Sequence, residues 1–141
     1  MIRSGSAVWQ GNLREGNGTV STESGVLRGT SYTFRSRFES EPSTNPEELI
    51  AAAHASCFSM ALSLQLQTAG FTAERIETTA KVTLEKLEAG FTITTSHLVL
   101  TAKVPGADSA LFAKAAEAAK SGCIVSRLMN ATITLEAKLV S

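Results

Sequence analysis

The sequence predicts an α+β fold. Short β-forming segments separated by Gly-rich breaks fill roughly the first forty residues, and a long helix with explicit start and stop signals follows Asn45. Strand-like and helix-like periodicities then alternate through the rest of the chain. With 141 residues, a single domain over 1–141 is expected, because folded domains cluster near ~100–150 residues.

Ala7 to Leu13, Gly18 to Ser24 and Tyr32 to Glu39 read as a strand meander, cut at Gly16-Asn17-Gly18 and between Gly25 and Gly29. Asn45-Pro46-Glu47-Glu48 then spells a helix start, with Asn as cap, Pro in the first turn and carboxylates behind it. The helix runs to Ala69, where Gly70 supplies the left-handed stop. It is apolar nearly all round. Leu49, Ala53, Cys57, Met60 and Leu64 form one stripe, and Ile50, Phe58, Leu62 and Leu66 form another. One sheet covers only one of them, so a second layer of the same chain or a partner subunit must cover the other.

Two long β segments follow, Ile76 to Leu87 and Phe91 to Val104, joined as a hairpin through Glu88-Ala89-Gly90. In the second, Phe91 and Ile93 share one parity while Leu98, Leu100 and Ala102 share the other. A bulge near Thr95 or burial on both faces accounts for the switch. Asp108 caps a helix over Ser109 to Lys120, a short apolar piece spans Cys123 to Met129, and alternation from Ala131 to Leu139 gives a final half-buried strand.

Composition narrows the function. A hydrophobic fraction of 43% and a charged fraction of 18% are those of a globular chain. Thirteen Lys and Arg balance thirteen Asp and Glu, so there is no excess positive charge to release counterions, and no nucleic-acid partner is expected. No run approaches ~18 consecutive apolar residues, and Met1-Ile2-Arg3-Ser4 leads into polar sequence without the apolar core of a signal peptide. The expectation is a soluble, cytoplasmic protein with no membrane partner.

Chemistry centres on Cys57 and Cys123, the only cysteines, 66 positions apart. A lone Cys inside a buried helix is usually a small hydrophobe. Cys123 stands after a Gly at the start of a helical piece, where backbone N–H groups favour a thiolate near solvent. Two thiols that meet exchange electrons through a sulfenic acid and a disulfide. Cys57 lies too deep in its helix for the dipole to ionise it, so a fixed cation must come from elsewhere. Arg35 and Arg37 are the candidates, on the strand before the helix with Phe34 and Phe38 on its other face.

Several segments resemble the OsmC/Ohr peroxiredoxin-like family, specifically its OsmC branch. They are Gly18 through Leu27, Arg37-Phe38-Glu39, Thr44 through Ile50, Ala53-His54-Ala55-Ser56-Cys57-Phe58-Ser59-Met60-Ala61-Leu62 and Gly122-Cys123-Ile124-Val125-Ser126. The likeness covers nearly the whole chain, and Ile124 stands where the family commonly has Pro. It implies that Cys57 is the peroxidatic thiol, Cys123 the resolving thiol, Arg37 the activating cation and Glu47 the carboxylate that holds Arg37. It also implies antiparallel sheets wrapped around two long central helices in an intertwined homodimer. The implied activity is reduction of organic hydroperoxides, and of hydrogen peroxide, without haem, metal or other cofactor, as protection against oxidative or osmotic stress. An external dithiol, a lipoylated protein being one source, is the implied reductant.

Three other readings stand beside this one. His54, three residues before Cys57, is placed for a thiolate–imidazole pair of the cysteine-hydrolase kind, although a packed, hydrogen-bonded His is the default. His97 is read as structural, and a metal site of both Cys and both His has no short ligand spacing except His54 to Cys57. A thiol sensor or apolar-ligand-binding protein with no catalysis is the alternative from a different class.

Overall fold

A computed structural model describes residues 1–141, which form two compact units, residues 1–49 and residues 50–141. In the first, β1 (Gly5–Gln10), β2 (Asn17–Thr22) and β3 (Thr30–Thr33) form an antiparallel meander in that order. Gly18 of β2 lies under two rings, those of Trp9 and Tyr32, whose centroids are 5.5 Å apart. A Cβ there would come within 2.6 Å of the Tyr32 ring and 2.8 Å of Trp9, so the packing of the two aromatics requires glycine at this point.

The third strand is shorter than the alternation suggests. It ends at Thr33, and a one-turn helix, α1 (Phe34–Phe38), follows. The reason is local: the Thr33 hydroxyl accepts from the Ser36 backbone N–H at 3.0 Å and the Ser36 hydroxyl accepts from the Thr33 N–H at 2.9 Å, a reciprocal cap that turns the chain. Arg35 and Arg37 therefore lie on a helical turn, not on one strand face as the sequence suggested. Phe34 and Phe38, one helical turn apart, stack with centroids 4.8 Å apart.

In the second unit, β4 (Arg75–Leu87), β5 (Gly90–Lys103) and β6 (Thr132–Val140) form a sheet in that order, with β4 antiparallel and β6 parallel to β5. This sheet is therefore mixed and not antiparallel as the resemblance implied, because the α3–α4 connection returns the chain to the end of the sheet where β5 began. The long helix α2 (Pro46–Thr68) enters this unit from the first, and α3 (Ser109–Gly122) and α4 (Ile124–Leu128) follow the hairpin. Gly70 takes φ +86° after α2, the left-handed stop expected there. The parity switch in β5 is a bulge: Thr83 pairs with Thr95 but Leu84 with Ile93, leaving Thr94 unopposed.

Below the bulge Ser96, Leu98, Leu100 and Ala102 are buried in one row. They pack with Phe58, Leu62 and Leu66 of α2 and with Phe112, Ala115, Ala116 and Ala119 of α3. One stripe of α2 is thus in the core, while Met60 and Leu64 on the other are 76% and 60% exposed. By length and a mean hydropathy of 1.5, α2 would also suit a bilayer, but its buried stripe is seated in this cluster. Each large side chain in the cluster contributes about 1.5–3 kcal/mol through burial.

Replacing the fully buried Leu62 by Ala is expected to cost about 2–5 kcal/mol, read as a lowered urea midpoint. A loss under ~1 kcal/mol would mean that this stripe does not form the core.

Candidate active site

Cys57 sits in the middle of α2, half-buried, and Cys123 is the residue where α3 ends and α4 begins. The Cys123 backbone N–H donates to the Ala119 carbonyl at 2.9 Å, closing α3 before the chain turns into α4. The turn persists with Ile124 in the position after Cys123. It brings the two sulfurs to 2.9 Å, with the Cys123 thiol donating toward the Cys57 sulfur. Both cysteines are free.

Cys123 was expected near solvent with its thiolate favoured by a helix N-terminus. It is 1% exposed, and α4 has only five residues. Burial therefore raises its pKa above the ordinary thiol value, and the hydrogen bond to Cys57 adds to the rise. The Ser126 backbone and hydroxyl and the Val125 backbone act in the opposite direction but do not reverse it. Cys123 keeps its proton at neutral pH.

His54 is fully buried one turn before Cys57. Its Nδ1 meets the Ser96 hydroxyl of β5 at 2.7 Å and its Nε2 meets the Ser126 hydroxyl of α4 at 2.8 Å. Both ring nitrogens are engaged, so no thiolate–imidazole pair with Cys57 forms, and the packed, hydrogen-bonded expectation holds. Burial lowers the His54 pKa. His97 hydrogen-bonds Thr134 at 2.6 Å, joining β5 to β6, as expected of a structural residue.

Arg37 and Glu47 form the second pair, both within residues 1–49. Arg37 Nε lies 3.0 and 3.2 Å from the two Glu47 carboxylate oxygens, and Nη2 lies 2.7 Å from Oε1. The Glu47 side chain is 13% exposed and that of Arg37 42%. A mostly buried carboxylate thus fixes a guanidinium whose Nη1 edge stays outside the pair. The ring of Phe38 lies 5.4 Å beneath the guanidinium carbon. Arg35, the other candidate, is taken by Glu41 at 3.2 Å.

The four residues singled out from sequence therefore stand as two pairs, one in each unit. Ser96 and Ser126 were missed. Their signal was present, since Ser96 interrupts an apolar row that continues through Leu98, Leu100 and Ala102, and a polar residue on a buried face needs a partner. An apolar groove of about 440 Å³ opens beside Ile50, Ala53, Ile93, Val125 and Met129, and Ala53 is one turn before Cys57.

The family model of OsmC-like protein matches residues 39–138. Over 139 residues, 99% of this chain and 97% of the relative, the sequence is 54% identical to Peroxiredoxin OsmC of Escherichia coli (strain K12). Among solved structures, an organic hydroperoxide resistance protein from Elizabethkingia anophelis is similar with TM-score 0.76 and 26% identity over 99% of both chains. The Organic Hydroperoxide Resistance Protein OhrB of Bacillus subtilis shares the fold, with TM-score 0.72 and 24% identity over 96% of this chain and 98% of that one.

With the His54 pKa lowered from 6.5, the folded chain binds fewer protons than the unfolded chain between the two values. Stability then rises with pH through that window and is lost as pH falls below about 6.5. Urea midpoints are expected to drop from about pH 7.5 to about pH 5.5, and His54→Gln is expected to reduce that drop. An equal drop in the variant would show that His54 is not responsible.

Proposed function

The chain belongs to the OsmC-like protein family, and on that premise we propose that it is a thiol peroxidase that reduces organic hydroperoxides, and hydrogen peroxide, through its own cysteines. The observation that carries this reading is the 2.9 Å separation of two free sulfurs. Cys57 is the peroxidatic residue because it is the more accessible of the two: it is half-buried, whereas Cys123 is 1% exposed. The Cys57 thiolate attacks the outer peroxide oxygen, the O–O bond breaks, and the alkoxide leaves to take up a proton as the alcohol. Cys57 is then a sulfenic acid. Cys123 attacks that sulfur, the S–O bond breaks, water departs, and a disulfide forms. An external dithiol, the lipoyl group of a protein being one source, reduces the disulfide and restores both thiols.

Arg37 is the cation that this chemistry needs. Its guanidinium favours the Cys57 thiolate and donates to the peroxide oxygens as charge moves onto the leaving group, while Glu47 keeps the fork in place. Ten residues of continuous helix separate Glu47 from Cys57, about 15 Å along the axis. Glu47 thus does not touch the Cys57 of its own helix, and either Arg37 spans the gap or the pair serves the Cys57 of a second subunit. The proposed arrangement is a homodimer whose long helices cross antiparallel, so that Arg37 and Glu47 of one subunit reach Cys57 of the other. Exposed Met60 and Leu64 support it, since such a contact removes them from water. The groove beside Ala53 and Ile93 accommodates the organic part of the hydroperoxide. The reducing cytoplasm is the compartment proposed, because it keeps thiols available.

Stopped-flow mixing with cumene hydroperoxide, read by loss of free thiol, is expected to show rapid consumption of two thiols per chain. Cys57→Ser is expected to abolish it, and an unchanged rate in that variant would sink the assignment. Cys123→Ser should complete one turnover and stop. Arg37→Ala should slow the first step by about a hundredfold to a thousandfold. Sedimentation should give a dimer, and an active monomer would remove the proposed crossing.

A further inference from the structure

The 66 positions between Cys57 and Cys123 leave their separation to packing, and the apolar packing of α4 is thin. Ile124 and Leu128 are exposed in the chain, and Val125 is only partly buried against the core cluster. The one buried side chain of this five-residue helix is a polar one, Ser126. Its hydroxyl meets His54 Nε2 of α2 at 2.8 Å. His54 has no solvent exposure, and its Nδ1 meets the Ser96 hydroxyl of β5 at 2.7 Å. The imidazole is thus tied to the sheet on one side and presents a fixed point to α4 on the other.

His54 stands three residues before Cys57, and Ser126 three residues after Cys123. Each is therefore about one helical turn from a reacting sulfur. The His54–Ser126 bond and the sulfur pair are two side-by-side links between the same two segments. Apolar contact is non-directional and lets a short helix slide or roll. A hydrogen bond with a preferred length and angle fixes where the helix sits. Because a hydroxyl both donates and accepts, the bond forms with either tautomer of the imidazole.

We propose that His54 and Ser126 are positioning residues for the resolving step: their bond docks α4 on α2 so that the Cys123 sulfur stays against Cys57. This rests on the reading of Cys57 and Cys123 as peroxidatic and resolving thiols. Cys123 attacks the Cys57 sulfenic acid, the S–S bond forms, the S–O bond breaks, and the Cys123 proton leaves with the hydroxide as water. The part of His54 and Ser126 is geometric: they raise the effective concentration of one sulfur at the other. The two bonds of the imidazole differ in consequence. Ser96 belongs to a strand already held in a ladder with β4 and β6, so β5 stays in place without it. Ser126 belongs to a helix with no ladder, and without its hydroxyl α4 loses its buried anchor.

The test compares Ser126→Ala with Ser96→Ala in the full chain. Each removes one hydroxyl from the same buried imidazole, so both are expected to lower the urea midpoint. Only Ser126→Ala unlinks α4. Equilibration with oxidised and reduced dithiothreitol, read by alkylation and mass, gives the reduction potential of the Cys57–Cys123 pair without any peroxide. In Ser126→Ala the disulfide is expected to be about tenfold less favoured, a rise of about 30 mV. Ser126→Thr, which restores the hydroxyl, should bring the potential back. In single turnovers with one equivalent of cumene hydroperoxide, conversion of the Cys57 sulfenic acid to the disulfide is expected to slow about tenfold in Ser126→Ala and to keep its rate in Ser96→Ala. An unchanged potential and an unchanged conversion rate in Ser126→Ala would overturn the proposal. Equal shifts in Ser96→Ala would also overturn it, because they would trace the effect to general loss of stability. Absence of sulfenic acid in the unmodified chain would instead overturn the assignment of Cys57, and since the dithiothreitol equilibrium needs no peroxide chemistry, the two failures stay apart.

Discussion

Holding two sulfurs 2.9 Å apart inside an apolar cluster is the constraint around which residues 50–141 are organised. Cys57 lies within α2 and Cys123 at the junction of α3 and α4, so their separation is only as well defined as the packing of those helices. The row of small residues Ala115, Ala116 and Ala119 gives α3 a buried face with little side-chain bulk. The polar contacts finish the placement. A buried imidazole with an unmet nitrogen would cost about 1–3 kcal/mol, so the two serines that satisfy His54 also tie α2 to β5 on one side and to α4 on the other.

The Arg37–Glu47 pair is built on a different principle. Glu47 lies in the first turn of α2, where a carboxylate is favoured by the helix dipole, and it is shielded enough to hold a guanidinium by three contacts. Lys in place of Arg37 would supply the charge without the planar fork that meets both carboxylate oxygens of Glu47. The preceding one-turn helix matters for the same reason. The reciprocal cap between Thr33 and Ser36 decides where Arg37 points, and the Ser36 hydroxyl also donates to the Thr44 carbonyl at 2.9 Å, fastening the connection that leads to Glu47.

Much of this was legible beforehand because the signals were local. The cap at Asn45-Pro46-Glu47 and the stop at Gly70 placed α2 to within a residue, and the parity switch in β5 left two explanations open, of which the structure has the bulge. The failures also have local causes. Tyr32 through Glu39 alternates like a strand, but the reciprocal cap outcompetes propensity after Thr33. Cys123 follows a glycine at a helix start, which reads as a solvent-facing thiolate, but the closing of α3 turns the sulfur inward and tertiary burial then governs its ionisation. Ser96 stood out as a polar residue on an apolar row, but what it and Ser126 bond to was not legible, because their partner is a histidine 42 and 72 positions away. No window of sequence contains both ends of such a contact.

The bulge at Thr94 divides β5 into two stretches with opposite facing. Below it, Ser96, Leu98, Leu100 and Ala102 are committed to the interior, where any change of volume is felt throughout the cluster. Above it, Thr92 and Ile93 border the groove beside Ala53 and Val125. That extra residue works as an insulating joint between the part of the hairpin packed into the interior and the part that lines the groove. Substitutions in the outer stretch would reshape the groove wall without altering the volume of the packed cluster, an economy available because one strand changes phase midway.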